Sequence, residues 1–148
     1  MEDRYLFRGK RTDNGEWVEG FYAVIGEKTV IIVKEPEKFY DVDGGKNSHG
    51  NKIVEVDPST ICQCTGLKDM NGKLIWENDI VNCMDAECCG YISWNESEAG
   101  FYFDVLLEDG RFEEEHIYDY QDCMEVIGNM IDNPELLWNR RKNDGKID

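Results

Sequence analysis

The sequence predicts a small, mainly-β protein. Three observations carry that prediction. Tyr, Phe, Trp, Val and Ile dominate the apolar residues, and such side chains suit a pleated, half-buried surface. Turn-forming pairs at Asn14-Gly15, Asn71-Gly72 and Asp109-Gly110 punctuate short apolar runs. Between Phe101 and Glu108 the apolar positions recur with a period of two, the pattern of a strand with one buried face. A chain of 148 residues suits one compact domain or two very small ones, and at this length folding hides roughly two thirds of the unfolded surface.

The elements follow in order. Residues 4–35 read as a β-meander, with Asp13-Asn14-Gly15 as its first turn and Gly26-Glu27 leading into the run Thr29 to Val33. Residues 36–52 collect turn formers around Asp43-Gly44-Gly45 and read as an exposed loop that includes His49. Ile53 to Val56 is a short strand, and Asp57-Pro58-Ser59-Thr60 turns the chain. Leu74 to Cys83 reads as strand, bend and strand, with the bend at Asn78-Asp79. Tyr91 to Trp94 and Phe101 to Leu107 are strands. The Asp109-Gly110 turn then returns the chain through Arg111 to Tyr118. On that returning strand Phe112, Glu114, His116 and Tyr118 share one face, and Glu113, Glu115 and Ile117 the other. Glu125 to Asn129 closes the β region. Asn133 as cap, Pro134 in the first turn and Glu135 near the positive end predict a short C-terminal helix. The expected organisation is an N-terminal β subdomain over residues 1–60 and a second subdomain over 61–148.

Charge narrows the partners. Sixteen basic side chains face 32 acidic ones, for a net charge of −16. Between Glu96 and Glu125 the only Lys or Arg is Arg111. A field this negative repels DNA, RNA and anionic lipid at long range. The basic residues gather at the ends, with Arg4, Arg8, Lys10 and Arg11 near the start and Arg140, Arg141, Lys142 and Lys146 near the finish. Any nucleic-acid binding would have to use those segments. No apolar run approaches the ~20 residues that span a bilayer, and the N-terminus lacks an apolar signal core. The expected location is the cytosol.

Six cysteines stand at Cys62, Cys64, Cys83, Cys88, Cys89 and Cys123. A structural zinc site favours paired ligands of the C-x2-C kind, which this chain lacks. Cys62 and Cys64 would share a face in a strand, whereas Cys88 and Cys89 would point apart. His49 and His116 have no partner at ligand spacing. The cysteines are therefore expected to be small buried hydrophobes, in a compartment where disulfides are rare. His116 beside Glu113, Glu114 and Glu115 is the nearest approach to an acid–base set, but an exposed strand histidine among solubilising acids is the better explanation. Phosphate-loop, dinucleotide and nucleophile-elbow motifs are missing. No catalytic, cofactor-binding or metal-ligating residue is assigned.

The stretch Gln63-Cys64-Thr65-Gly66-Leu67-Lys68-Asp69-Met70-Asn71-Gly72-Lys73-Leu74-Ile75-Trp76-Glu77-Asn78-Asp79-Ile80-Val81 resembles the central motif of the YopX family. That motif reads Q-aromatic-T-G-L-x-D-x-x-G-x-x-I-aromatic-E-G-D-I-V. The early Phe7-Arg8-Gly9-Lys10 and the late Val126-Ile127-Gly128-Asn129 with Asn133-Pro134-Glu135-Leu136-Leu137 are similar to the same family. Cys64 stands where an aromatic is usual, and Asn78 where Gly is usual. Asn tolerates the left-handed conformation, so the bend survives the change. The resemblance implies a phage or prophage origin and a mainly-β fold, with no established activity to carry over. The "turn, Ile-x-x-x-Asp-Ile-Val" order also resembles the opening of SH3-like barrels, so the second subdomain is expected to be a small SH3-like barrel. The expected function is a non-catalytic interaction module with a protein partner or self-association. Trp17, Trp76, Trp94 and Trp138 are its candidate aromatic contacts. An acidic nucleic-acid mimic or inhibitor of a host protein, and a weak nucleic-acid binder, are the alternatives.

Overall fold

A computed structural model describes residues 2–33, 52–84 and 86–138. The chain divides into two compact units, Met1–Gln63 and Cys64–Asp148. The expected loop over 36–52, with His49 but apart from its last residue Lys52, and the basic residues after Trp138 lie outside the described residues.

The first unit is an antiparallel sheet. Its strands are β1 (Phe7–Lys10), β2 (Trp17–Ile25), β3 (Lys28–Val33) and β4 (Ile53–Glu55), followed by the first residues of β5 (Cys62–Lys68). The spatial order is β4-β3-β2-β1-β5, with Arg8 opposite Cys62 and Phe7 opposite Gln63. The expected turns are present, with Gly15 and Gly26 both at positive φ. Ile31, Val54 and Val56 form the buried centre, with Phe7, Val18, Val33 and Ile61 packed around it. Asp57 caps the 3-10 turn Pro58–Thr60 by accepting the Ser59 N–H at 3.0 Å.

The second unit takes up the rest of β5 and adds β6 (Leu74–Trp76), β7 (Asp79–Cys83), β8 (Cys88–Asn95), β9 (Gly100–Leu106), β10 (Phe112–His116) and β11 (Met124–Asn129). β6 pairs with β5. The other five make a sheet in the order β10-β9-β8-β7-β11. Strands β7 to β10 form a meander. Two 3-10 turns, Ile117–Asp119 and Gln121–Cys123, then carry the chain to β11, which pairs back on β7. The sheet is open. β10 and β11 stand at its two ends and are not paired with one another, so the sheet does not close into a barrel. The mainly-β expectation holds, and the closed barrel is not seen among the described strands.

The two faces of this sheet have separate cores. One face holds Val81, Cys83, Ile92, Phe103 and Val105, packed with Ile75, Ile117 and Met124. Burying a side chain such as Ile92 or Phe103 contributes roughly 2–3 kcal/mol. The other face holds Ile80 and Cys89, covered by Leu137 with Leu136, Met130 and Ile127 against it. Residues 135–138 form one helical turn. Asn133 was expected to cap it. Instead its Oδ1 accepts the N–H of Asn129, back in β11, at 3.4 Å. Gly128 makes this closure fit, since a Cβ there would lie 2.7 Å from Leu136 Cδ1 and 2.8 Å from Asn133 Oδ1.

The long central motif is a set of backbone anchors. Thr65 Oγ1 donates to Ile75 O at 2.7 Å and accepts from Leu67 N, while Gly66 takes φ 83° in the irregular stretch of β5. Asn78 takes φ 72°, the conformation its side chain tolerates. Its backbone reaches Ile92 O at 2.7 Å and receives Met130 N at 2.8 Å. Asp79 Oδ2 accepts Trp76 N at 2.8 Å. Asp69 is the most heavily used anchor. Oδ1 accepts Asn71 N and Lys73 N, and Oδ2 accepts Val126 N at 2.9 Å.

Burial of Asp69 raises its carboxyl pKa, but the bonds from Val126, Lys73 and Asn71 outweigh that and hold it below the ordinary value. A depressed folded-state pKa stabilises the fold above the unfolded pKa, near 4, and that contribution is lost as pH falls through the folded value. Asp69→Ala leaves three N–H groups without their acceptor, and it should cost about 3 kcal/mol near neutrality. The gap to wild type should shrink in acid. Denaturant unfolding at a series of pH values measures both effects.

Candidate functional site

Pairing of β8, β9 and β10 sets residues in transverse rows on the sheet face opposite Phe103. Leu106 stands opposite Phe112. In the next row Tyr91 stands opposite Asp104 and Asp104 opposite Glu114. In the row beyond, Ser93 stands opposite Tyr102 and Tyr102 opposite His116. Two carboxylates therefore lie side by side, with aromatic groups on both flanks. On one flank Phe112 meets Tyr91 edge-on at 5.2 Å and Trp138 at 6.5 Å. On the other, His116 lies 5.3 Å from Tyr102 and stacks on Tyr118 at 5.5 Å. Phe112, Trp138 and Tyr118 are exposed, at 36%, 42% and 70%.

The two carboxylates differ in setting. Asp104 is buried, accepting a bond from Ser93 Oγ at 2.9 Å. Glu114 is exposed, held by Asn95 Nδ2 at 3.0 Å to each oxygen. Burial pushes the Asp104 carboxyl above its ordinary value. Its bonds from Ser93 and Tyr91 pull the other way, and Glu114 adds to the rise. Burial, then the Asp104 carboxylate, raises the Tyr91 hydroxyl. Arg111 is engaged with Asp109 at 2.7 Å. Among the described residues no Lys or Arg forms an ion pair with Asp104 or Glu114.

The residues singled out from sequence fall as follows. His116 shares its face with Glu114, while Glu113 and Glu115 pair with Val105 and Phe103 and take the opposite face. The three glutamates and the histidine are thus not brought together. Cys88 and Cys89 do point apart, Cys88 toward the Phe103 core and Cys89 toward Ile80 and Leu137. Cys62, Cys64, Cys83 and Cys89 are buried, and Cys88 and Cys123 half-buried. Among the described residues no group of three or more His, Cys, Asp or Glu side chains is placed to hold a metal ion. Trp76 is buried, Trp94 lies exposed against Phe101 at 4.9 Å, and Trp138 covers Phe112. In the first unit Trp17 lies beneath two cations, Arg8 at 4.7 Å and Lys10 at 5.4 Å. Arg11 is bound to Asp13 at 2.8 Å.

Sequence reasoning missed the Tyr91–Asp104–Glu114 row. The signal was present, because the Asp109-Gly110 turn fixes which residues of its two flanking strands face one another. The missing step was to carry that register across to β8.

No helix among the described residues is long and apolar enough to cross a membrane. The features together define an antiparallel β protein of two small units whose second unit carries an acidic, aromatic-flanked sheet face. The model of the YopX protein family matches residues 6–138, and the chain belongs to that family. No curated protein matches the chain.

Because folding raises the Asp104 pKa, the protonated form favours the native state, and the ionised form costs stability above the folded pKa. Asp104→Asn keeps an acceptor for Ser93 and sheds the buried charge. The variant should equal or exceed wild type in thermal stability at pH 7. Wild type should recover relative to it as pH falls through the folded pKa of Asp104. A large loss of stability in the variant at pH 7 would overturn this assignment.

Proposed function

We propose that the protein is a non-catalytic interaction module of phage or prophage origin, and that its second unit is an SH3-like module binding a basic protein surface. The observation that carries this reading is the Asp104–Glu114 pair set between two aromatic groups. Carboxylates supply the ion pair for a guanidinium, and neighbouring rings supply a stacking surface. The SH3-like assignment is supported by the four-strand meander, the 3-10 turns before the last strand and the pairing of that strand with the first. Phage origin rests on the resemblance of the central motif. A mimic that covers the basic groove of a nucleic-acid enzyme would use the same chemistry.

Titration calorimetry with an arginine-rich peptide, against a glutamate-rich control, tests the reading. Binding of the basic peptide alone is expected, weakened about tenfold or more by Glu114→Gln or Phe112→Ala. Equal affinity for wild type and both variants would remove the face from the account. A stable homodimer in light scattering whose interface hides Phe112 would replace the foreign partner with a second copy.

One observation favours a second reading. Arg8 and Lys10 over Trp17 make a small cationic and aromatic patch on the first unit, the combination that single-stranded nucleic acids use. The reading requires binding of single-stranded DNA that falls steeply with salt and is reduced by Trp17→Ala. No binding at low salt would eliminate it.

A further inference from the structure

Cys83, Cys88 and Cys123 meet at one end of the second unit. Cys83 stands directly opposite Cys88 in the β7–β8 pairing and opposite Met124, the residue after Cys123, in the β7–β11 pairing. Burial, and after it the neighbouring Cys123 and Cys88 thiols, raise the pKa of the Cys83 thiol. The thiols of Cys83 and Cys123 also converge on one acceptor, the carbonyl oxygen of Tyr120, at 3.9 and 3.4 Å. Facing residues of an antiparallel pair have Cα atoms about 4.5–5.5 Å apart, inside the ~4.4–6.8 Å that a disulfide requires.

The other three thiols are placed differently. Cys62 Sγ donates to Thr60 O, and Cys64 Sγ contacts Ile75 O. Cys89 lies on the opposite face of the sheet from Cys83, with Ile80 and Leu137. The central member of the cluster, Cys83, is fully buried, while Cys88 and Cys123 are half-buried. A small oxidant therefore meets an outer thiol first.

We propose that these three cysteines form a dithiol oxidation site that takes one intramolecular disulfide, always with Cys83 as one partner. With hydrogen peroxide as oxidant, the thiolate of Cys88 or Cys123 attacks the O–O bond. That sulfur becomes a sulfenic acid, and the departing hydroxide leaves as water with the thiol's proton. The Cys83 sulfur then attacks the sulfenic sulfur, the S–O bond breaks, and a second water carries off the Cys83 proton. Two thiols lose two electrons in all, and the peroxide is reduced to two waters. The bridge ties β7 to β8, or β7 to the turn that leads into β11. Tyr120 O loses one or both of its thiol donors in the process. Burial raises the pKa of Cys83 and Cys88, so thiolate is scarce near pH 7 and the reaction should speed up as pH rises.

The test treats the folded, full-length protein with hydrogen peroxide and reads intact mass and peptide maps without reduction. The expected result is loss of two hydrogens and a single bridge that contains Cys83. Cys88→Ser and Cys123→Ser should each keep a bridge, now to the remaining partner. The double variant should lose it or form any bridge at least tenfold more slowly, with circular dichroism confirming its fold. A bridge that excludes Cys83, sulfinic or sulfonic acids without a bridge, or no reaction would overturn the proposal.

Discussion

Asp69 holds the second unit in register. Its carboxylate takes two N–H groups of its own turn and one from Val126 in the last strand. A single side chain thus fixes the β5–β6 turn and docks it on β11, 57 residues away. Beside it, Met70 N donates to Met124 O at 2.9 Å. The carboxylate must be charged and nearly dry to do this, a costly state that only several aimed donors offset. The neighbouring motif residues perform smaller versions of the same task. Thr65 and Asp79 each satisfy a backbone group at a place where the strand ladder is interrupted.

This explains why so long a stretch of sequence reads as one signature without naming a reaction. Thr65, Asp69 and Asp79 turn their side-chain oxygens toward backbone, where a catalytic set would face a cleft. The reactive-looking groups lie elsewhere, on β8, β9 and β10, strands that the signature does not cover. The acidic row there is electrostatically expensive. Asp104 and Glu114 are neighbours of like charge, and the described residues supply them hydrogen bonds but no counter-ion. A basic partner would relieve that repulsion, so the same feature that costs stability in the free protein can contribute affinity in a complex.

Much of the fold was legible in the residues. The period of two over Phe101 to Leu107 located β9, Asp109-Gly110 located its hairpin, and Asn78 marked a left-handed bend. Other parts depended on pairing that no local pattern reveals. Cys88 to Gly90 carry no strand signal of their own, so β8 looked shorter than it is. Its opposition to Cys83, and with it the thiol cluster, stayed hidden. Asn133 looked like a helix cap because Asn is favoured at the cap position and Pro at the first helical position. Only the tertiary structure shows that the side chain reaches back to β11 instead. Barrel closure failed for a related reason, since whether the end strands meet depends on where the chain goes after β10.

The run Glu113-Glu114-Glu115 sits on β10, the end strand of the five-stranded sheet. An end strand displays unsatisfied backbone donors and acceptors, which invite pairing with another chain's strand. Three successive glutamates place negative charge on both faces of that border, so a second copy approaching in the same way meets its own charge. Growth of the sheet into a larger assembly is thereby penalised. The acidity of this segment acts as a gatekeeper against aggregation, a role separate from any contact made by the broad face beside it.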